Sequence, residues 1–367
     1  MKLVNILHIW YSGGIGGTET HILNLIKHSD KNRFTHTVCF LQTGGIISKE
    51  IKDNGVDVIE LNINTIYSVH TVKNLCRVLS DSRIDIVHNH ASTPIAPIIA
   101  KIYRKKVIYT EHGNVILNTQ KILLQHILGF IMSFFIDKVI AISNFVKESL
   151  VTKRKIPRNK IAVVYHGVPS CKLSTTHLTD LSEFNDDALY IGALGRCVNQ
   201  KGFNYFIRVA VEFHRRFPSE KVKFVLAGDG PELPLLKKQA ELQRINNRII
   251  FLGYRRDIDL LLNKFHVLLI TSVAEPFGIV AIEGMSAGLP IIAFDVNGLN
   301  EIILNNKTGY LIKPFDIDEM VKKTSILVRQ DNARLQMGNA VFRHFEKNFS
   351  INTMVENTEK MYQRLIS

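Results

Sequence analysis

VNILHIWYSGGIGGTETHILNLI, residues 4–26, runs from an apolar, β-branched stretch ending at Trp10, through a glycine-rich corner, into a segment with apolar residues at Ile22, Leu23, Leu25 and Ile26. A strand, a tight corner and an amphipathic helix in that order form the opening unit of a doubly wound α/β domain. The corner imitates a dinucleotide fingerprint without completing it. Counted from Gly14, the third glycine of Gly-x-Gly-x-x-Gly should fall where Glu19 stands. A nucleoside-triphosphate loop is excluded too, because no Gly-Lys-Ser/Thr is present. Gly16 and Gly17 leave backbone N–H groups bare at a helix start near Thr18, which suits a phosphate; a purely structural turn is the alternative.

The same alternation continues along the chain. The pattern predicts buried strands over Val4–Trp10, Thr37–Leu41, Val56–Leu61, Ile84–His88, Val107–Thr110, Val139–Ile142 and Ile161–Tyr165, each followed by a segment of helical length. After His166-Gly167-Val168-Pro169 the period lapses into a polar stretch, then resumes with Leu189–Leu194, Val222–Ala227, Ile249–Leu252, Val267–Ile270 and Ile291–Phe294. With 367 residues, more than one core usually fills, this reads as two Rossmann-like domains, residues 1–170 and 171–349. Each carries a parallel sheet wrapped by helices, and ligands are expected in the cleft between them. Residues 350–367 have helical period and are expected to return to the first domain.

Composition narrows the partners. The formal charge is +13, and residues 1–170 carry 21 Lys/Arg against 11 Asp/Glu, so +10 lies in the first half. A basic solvated surface and an anionic membrane or acceptor both fit; nucleic acid fits less well, since no nucleic-acid motif accompanies the charge. Ile122–Ile136, ILLQHILGFIMSFFI, is almost wholly apolar but shorter than the roughly 20 residues a spanning helix needs. It reads either as a core helix or as one lying in a membrane interface beside Lys101–Lys106 and Lys153–Lys155. Residues 1–10 do not resemble a signal peptide, and Cys39, Cys76, Cys171 and Cys197 are scattered. A cytoplasmic protein, peripheral on the inner membrane face if membrane-bound, is the expectation.

The second half holds the denser chemistry. Arg196 follows the strand ending Leu194-Gly195, and Lys201-Gly202 stands five places on, before a helix starting near Phe203. Two cations at the mouth of a strand-to-helix loop can grip a diphosphate, Arg as a fork and Lys as a point charge. Gly228-Asp229-Gly230-Pro231 and Phe251-Leu252-Gly253-Tyr254 close two further strands. Glu275-Pro276-Phe277-Gly278-Ile279 then opens a helix that contains Glu283. Carboxylates accept paired hydrogen bonds from vicinal hydroxyls, and a helix start offers N–H donors to phosphate. His88-Asn89-His90 has the spacing of a strand-borne metal pair that His112 could join, but no further ligand is convincingly placed. No metal site is expected.

The run E-P-F-G-I-V-A-I-E-G-M-S-A-G-L-P, with G-R-x-x-x-x-K-G before it and G-G-x-E near the start, resembles the retaining glycosyltransferases of family 4, which have the GT-B fold. T-E-H-G (110–113), A-I-S-N (141–144), H-G-V (166–168), G-D-G-P (228–231) and F-L-G (251–253) stand in that family's order. The resemblance implies that Arg196 and Lys201 hold the diphosphate of a nucleotide-sugar, UDP-linked ahead of GDP-linked, with Gly16 and Gly17 meeting it from the first domain. It implies that Glu283 accepts the ribose hydroxyls. Glu275, with the backbone around Phe277, Gly278 and Ile279, would orient the sugar; Gly253 and Tyr254 would lie at the base. His112 corresponds to the position that meets the transferred sugar and the acceptor, and Tyr11, His90, Ser143 and Asn144 are candidate acceptor contacts. Catalysis would fall to His112 and Glu275, without metal or other cofactor. The implied reaction moves a hexose or N-acetylhexosamine to a glycan or lipid-linked acceptor, in surface polysaccharide or lipopolysaccharide assembly. The alternatives are a nucleotide-sugar epimerase or hydrolase on the same fold and a non-catalytic sugar-nucleotide binder.

Overall fold

The computed structural model describes residues 3–14, 16–63, 65, 68–113, 129–171, 182–184 and 186–367. The chain divides into two compact units, Met1–Gly167 with Ile351–Ser367, and Val168–Ser350. Most of the polar lapse near residue 175, and residues 122–128 of the apolar run, lie outside the described residues.

The first unit is a parallel sheet of β1 (Val4–Trp10), β2 (Phe34–Phe40), β3 (Asp57–Glu60), β4 (Ile86–Asn89), β5 (Lys106–Glu111), β6 (Lys138–Ala141) and β7 (Ile161–Val163), in the order β3-β2-β1-β4-β5-β6-β7. The strand order reverses between β1 and β4. On one face, Ile6, Ile86, Ile108 and Ile140 pack against Leu25 of the helix Gly17–His28 and against Met354, Val355, Met361 and Tyr362 of the helix Ile351–Ile366. That last helix is pinned by polar contacts as well: the Glu359 carboxylate accepts from Ser29 Oγ at 2.7 Å and from the Asp30 N–H at 2.8 Å.

The second unit repeats the plan with β8 (Leu189–Leu194), β9 (Val222–Ala227), β10 (Ile249–Gly253), β11 (Val267–Ile270), β12 (Ile291–Phe294) and β13 (Gly309–Ile312), ordered β10-β9-β8-β11-β12-β13 and parallel throughout. Its reversal lies between β8 and β11. Strand β13 is missing from the sequence reading because Gly309-Tyr310-Leu311-Ile312 is four residues long and opens on glycine, so it has no alternation to detect. Its partner β12 recruits it through four registered pairs. Elsewhere the strands differ from the expected spans by up to three residues at an end, as ends set by hydrogen bonding rather than by apolarity do.

Candidate functional site

In open α/β sheets ligands bind beyond the carboxyl ends of the strands where the order reverses. In the second unit that point is flanked by the ends of β8 and β11, and Arg196, Lys201, Glu275, Phe277 and Gly278 sit on the loops that follow them. The β8 loop carries exposed Arg196 and a short 3-10 turn, Asn199–Lys201. Gly202 then caps the helix Phe203–Arg216 with φ +61, and a Cβ there would run into the Thr271 carbonyl, so the position requires glycine both for conformation and for space. The two loops are stitched together: Val273 N–H donates to Gln200 O at 2.9 Å, and Gln200 Nε2 donates to Ala274 O at 2.9 Å.

That stitching brings Lys201 Nζ to 2.7 Å from Glu275 Oε2, with the two side chains only 21% and 12% exposed. Residues to which the resemblance gives different parts of the donor are therefore paired with each other. Arg196 makes no side-chain hydrogen bond or ion pair among the described residues, and stands as a free guanidinium at the same edge. Downstream, Gly298 N–H donates to Glu275 O at 2.9 Å, Phe277 is buried, and Gly278 (φ +116) caps the helix Ile279–Ser286. The first N–H groups of that helix have no intrahelical acceptor. Glu283 lies one turn in, partly exposed, with no hydrogen-bond donor to its carboxylate among the described residues. Burial pushes its pKa up to about 7 against the opposing pull of Lys201. On the β9–β10 side, Gly253 takes φ +67 and accepts from Gly228 N–H at 2.8 Å, and Tyr254 is exposed beside it.

In the first unit the glycine corner leads into the helix Gly17–His28 with Gly16 as its cap. Glu19, in the first helical turn, folds back so that a Cβ on Gly16 would meet its carboxylate, and Ser12 Oγ donates to Glu19 Oε1 at 3.3 Å. A carboxylate of the chain itself thus sits near the positive end of this helix. Tyr11 is exposed and its Oη accepts from Gln42 Nε2 at 3.0 Å. Ser143 is a working N-cap, accepting from Val146 N–H at 3.0 Å, and Asn144 Nδ2 donates to Tyr165 Oη at 3.0 Å.

His88, His90 and His112, grouped in the sequence, prove to belong to a larger cluster whose other members sequence reading missed. His8, His21, His36, His88, His90, His112 and His166 converge in the first unit, and all but His112 are buried. Burial drives every one of these pKa values down, to about 4 for His36 and His166 and about 3 for His88. Burial therefore favours the neutral form of each ring. Two trios among the described residues, His8–His88–His90 and His21–His90–His112, lie close enough to hold a metal ion. In the first trio, however, His88 is committed to Tyr362 Oη (2.7 Å) and Thr110 Oγ1 (2.6 Å), and His8 to His36 (2.9 Å) and His90 (3.0 Å). The signal that could have revealed the group is parity: residues 8, 36 and 88 on strands, and 90 and 112 one residue past β4 and β5, are all even-numbered, and the registers pair even with even.

Comparison with known proteins identifies the family and the fold. A model of glycosyl transferases group 1 matches residues 178–344, and one of glycosyltransferase family 4 matches residues 15–170. The phosphatidylinositol N-acetylglucosaminyltransferase gpi3 subunit of Schizosaccharomyces pombe is 24% identical over 96% of this chain and 78% of its own. A UDP-Gal:alpha-D-GlcNAc-diphosphoundecaprenol alpha-1,3-galactosyltransferase of Escherichia coli is 25% identical over 82% and 81%. An Anabaena protein crystallised with UDP superposes with a TM-score of 0.85 at 20% identity, covering 99% of this chain and 100% of that one. The fold is GT-B.

Proposed function

From the premise that this chain belongs to the group 1 and family 4 glycosyltransferases, we propose that it is a retaining enzyme acting on a UDP-sugar, and that it glycosylates a glycan or lipid-linked acceptor in cell-surface polysaccharide or lipopolysaccharide assembly. The observation that carries the donor assignment is the β8–β11 edge of the second unit. That edge carries Arg196 and Glu283, neither with a side-chain partner among the described residues, and the Lys201–Glu275 pair just before the helix Ile279–Ser286.

In this reading Arg196 and Lys201 hold the diphosphate, Glu283 accepts the ribose hydroxyls, and Glu275 orients the sugar alongside the Phe277–Ile279 backbone. The base rests by Gly253 and Tyr254. Gly16 and Gly17 offer side-chain-free backbone to the diphosphate, and His112 meets the sugar and the acceptor. As the bond from the anomeric carbon to the phosphate oxygen breaks, its electron pair stays on the leaving diphosphate. Arg196, Lys201 and the helix start stabilise that developing charge, and no metal is required for it. The acceptor oxygen bonds to the anomeric carbon on the same face, and its proton passes to the departing phosphate oxygen. The decisive test is thermal shift with UDP, GDP and their sugars: UDP at 100 times its dissociation constant should stabilise the protein by about 2.7 kcal/mol. No shift with any uridine nucleotide would reject the donor assignment. Incubation without acceptor should yield no epimer.

The acceptor side is argued from an exposed patch. Among the described residues no helix is long and apolar enough to cross a membrane. Helical residues 129–134 nevertheless present Phe130, Ile131 and Phe134 at 49%, 45% and 66% exposure. They abut the helix Asn144–Arg154, because a Cβ on Gly129 would meet Arg154, and Lys153, Arg154 and Lys155 lie at that helix's end. Apolar rings beside cations suit an anionic interface. The protein should float with vesicles containing phosphatidylglycerol and be released by salt, and Phe134→Ser should weaken flotation. Absence of binding at low salt would refute the peripheral assignment.

A further inference from the structure

Four of the clustered histidines, three buried and His112 partly exposed, form a head-to-tail row. His36 Nδ1 meets His8 Nε2 at 2.9 Å, His8 Nδ1 meets His90 Nε2 at 3.0 Å, and His90 Nδ1 meets His112 Nε2 at 3.2 Å. The spacing is regular: ring centroids are 5.1, 5.3 and 5.4 Å apart, with planes tilted by 24–27°. The two terminal atoms, His36 Nε2 and His112 Nδ1, are buried and have no hydrogen-bond partner among the described residues. The cause is topological. Adjacent strands β2, β1, β4 and β5 each place a histidine on the same sheet face or just past the strand end, so the row runs across the strands toward the switch-point edge.

A neutral imidazole has one N–H and one lone pair, on different nitrogens. Every link joins an Nδ1 to an Nε2, and a sound link needs one hydrogen, not two or none. If His112 is the Nε2–H tautomer it donates to His90 Nδ1, which forces His90 to be Nε2–H, then His8, then His36. If His112 is Nδ1–H, all four are Nδ1–H. Mixed rows place two lone pairs or two hydrogens face to face among buried rings, where an unmade hydrogen bond is costly. Four hydrogens serve three links, so one N–H is left over at one end.

We propose that His36, His8 and His90 are positioning residues that share a single tautomeric state with His112, and that a ligand oxygen arriving at His112 sets the whole row to Nδ1–H. The direction follows from the two ends. Both terminal atoms are buried and partnerless in the free protein among the described residues, but the His112 ring is partly exposed whereas His36 is buried, so a ligand oxygen reaches the row at His112 and gives the spare hydrogen an acceptor there. The inference rests on the reading that His112 meets the sugar or acceptor. It adds that the row decides which atom of His112 carries hydrogen, and thus that this ring donates to the ligand through Nδ1 rather than accepting from it.

The test is nitrogen NMR of the full chain labelled with 15N-histidine, each ring assigned by single substitution. In the free protein the four rings should show the same protonation pattern, or the same mixture. Addition of UDP-glucose with an acceptor glycan should move all four toward Nδ1–H together. His8→Phe should break the row, so that His112 still responds and His36 no longer does, and transfer should slow about tenfold with the donor KM unchanged. Opposite tautomers within the row, a doubly protonated ring, or metal-type shifts abolished by a chelator would each overturn the proposal. If no ligand binds, the glycosyltransferase site assignment fails instead, while uniformity of the free row still stands or falls by its own spectrum. A His8→Phe chain that fails to fold leaves the wild-type spectrum decisive.

Discussion

Arg196→Ala should lower kcat/KM for sugar transfer by about 10²–10³-fold while leaving the melting temperature almost unchanged. The rate loss is that expected when one preorganised group facing developing charge is removed. The unchanged stability follows from the structure: the guanidinium is exposed and pairs with nothing among the described residues, and surface substitutions of that kind stay within about 0.5 kcal/mol. Lys201→Ala should show a comparable rate loss but also destabilise, because it strands the Glu275 carboxylate, whose side chain is only 12% exposed. The pair of variants separates chemistry from folding. Near-normal transfer by Arg196→Ala would remove the diphosphate assignment, and an unchanged melting temperature in Lys201→Ala would show that the pair contributes nothing to stability.

Glu283→Gln should weaken donor binding by about 100-fold and make the free protein more stable at pH 8. These opposite effects share one cause. Burial raises the folded-state pKa of this carboxyl from its usual 4.5 to about 7. Between those values the folded state holds a proton that the unfolded state has released, so stability falls as pH rises through this window. A gap of that size would amount to about 3 kcal/mol if the group were wholly enclosed; its partial exposure brings the expected gain at pH 8 nearer about 2 kcal/mol. Glutamine has no proton to lose and should flatten the pH–stability curve. Donor binding runs the other way, since the ribose hydroxyls need the ionised carboxylate. Wild-type affinity should therefore fall about tenfold per unit below pH 7, while that of Glu283→Gln stays level. Calorimetric titration of UDP at pH 5.5, 6.5 and 8 checks both, and a level wild-type profile would mean that Glu283 does not contact the ribose through its carboxylate.

The two predictions rest on residues legible in the sequence itself, because their chemistry lies in short windows. Arg196 and Lys201 are five apart, and Glu275 and Glu283 eight apart, each set within one strand–loop–helix passage. Apolar runs broken at helical intervals were likewise enough to predict parallel sheets and a division near residue 170, because burial on both faces leaves a continuous signature. What sequence alone determined about this protein is therefore its α/β alternation and the local composition of each loop. Tertiary structure alone decided which loops meet. The β8 and β11 ends are adjacent only because the sheet order reverses there, and that adjacency pairs Lys201 with Glu275. The same holds more strongly for the histidines, which come from one helix and from five strands or the residues just after them, spread over 159 positions from His8 to His166. Only strand order and register, both non-local, turn these scattered rings into a row whose hydrogens must agree.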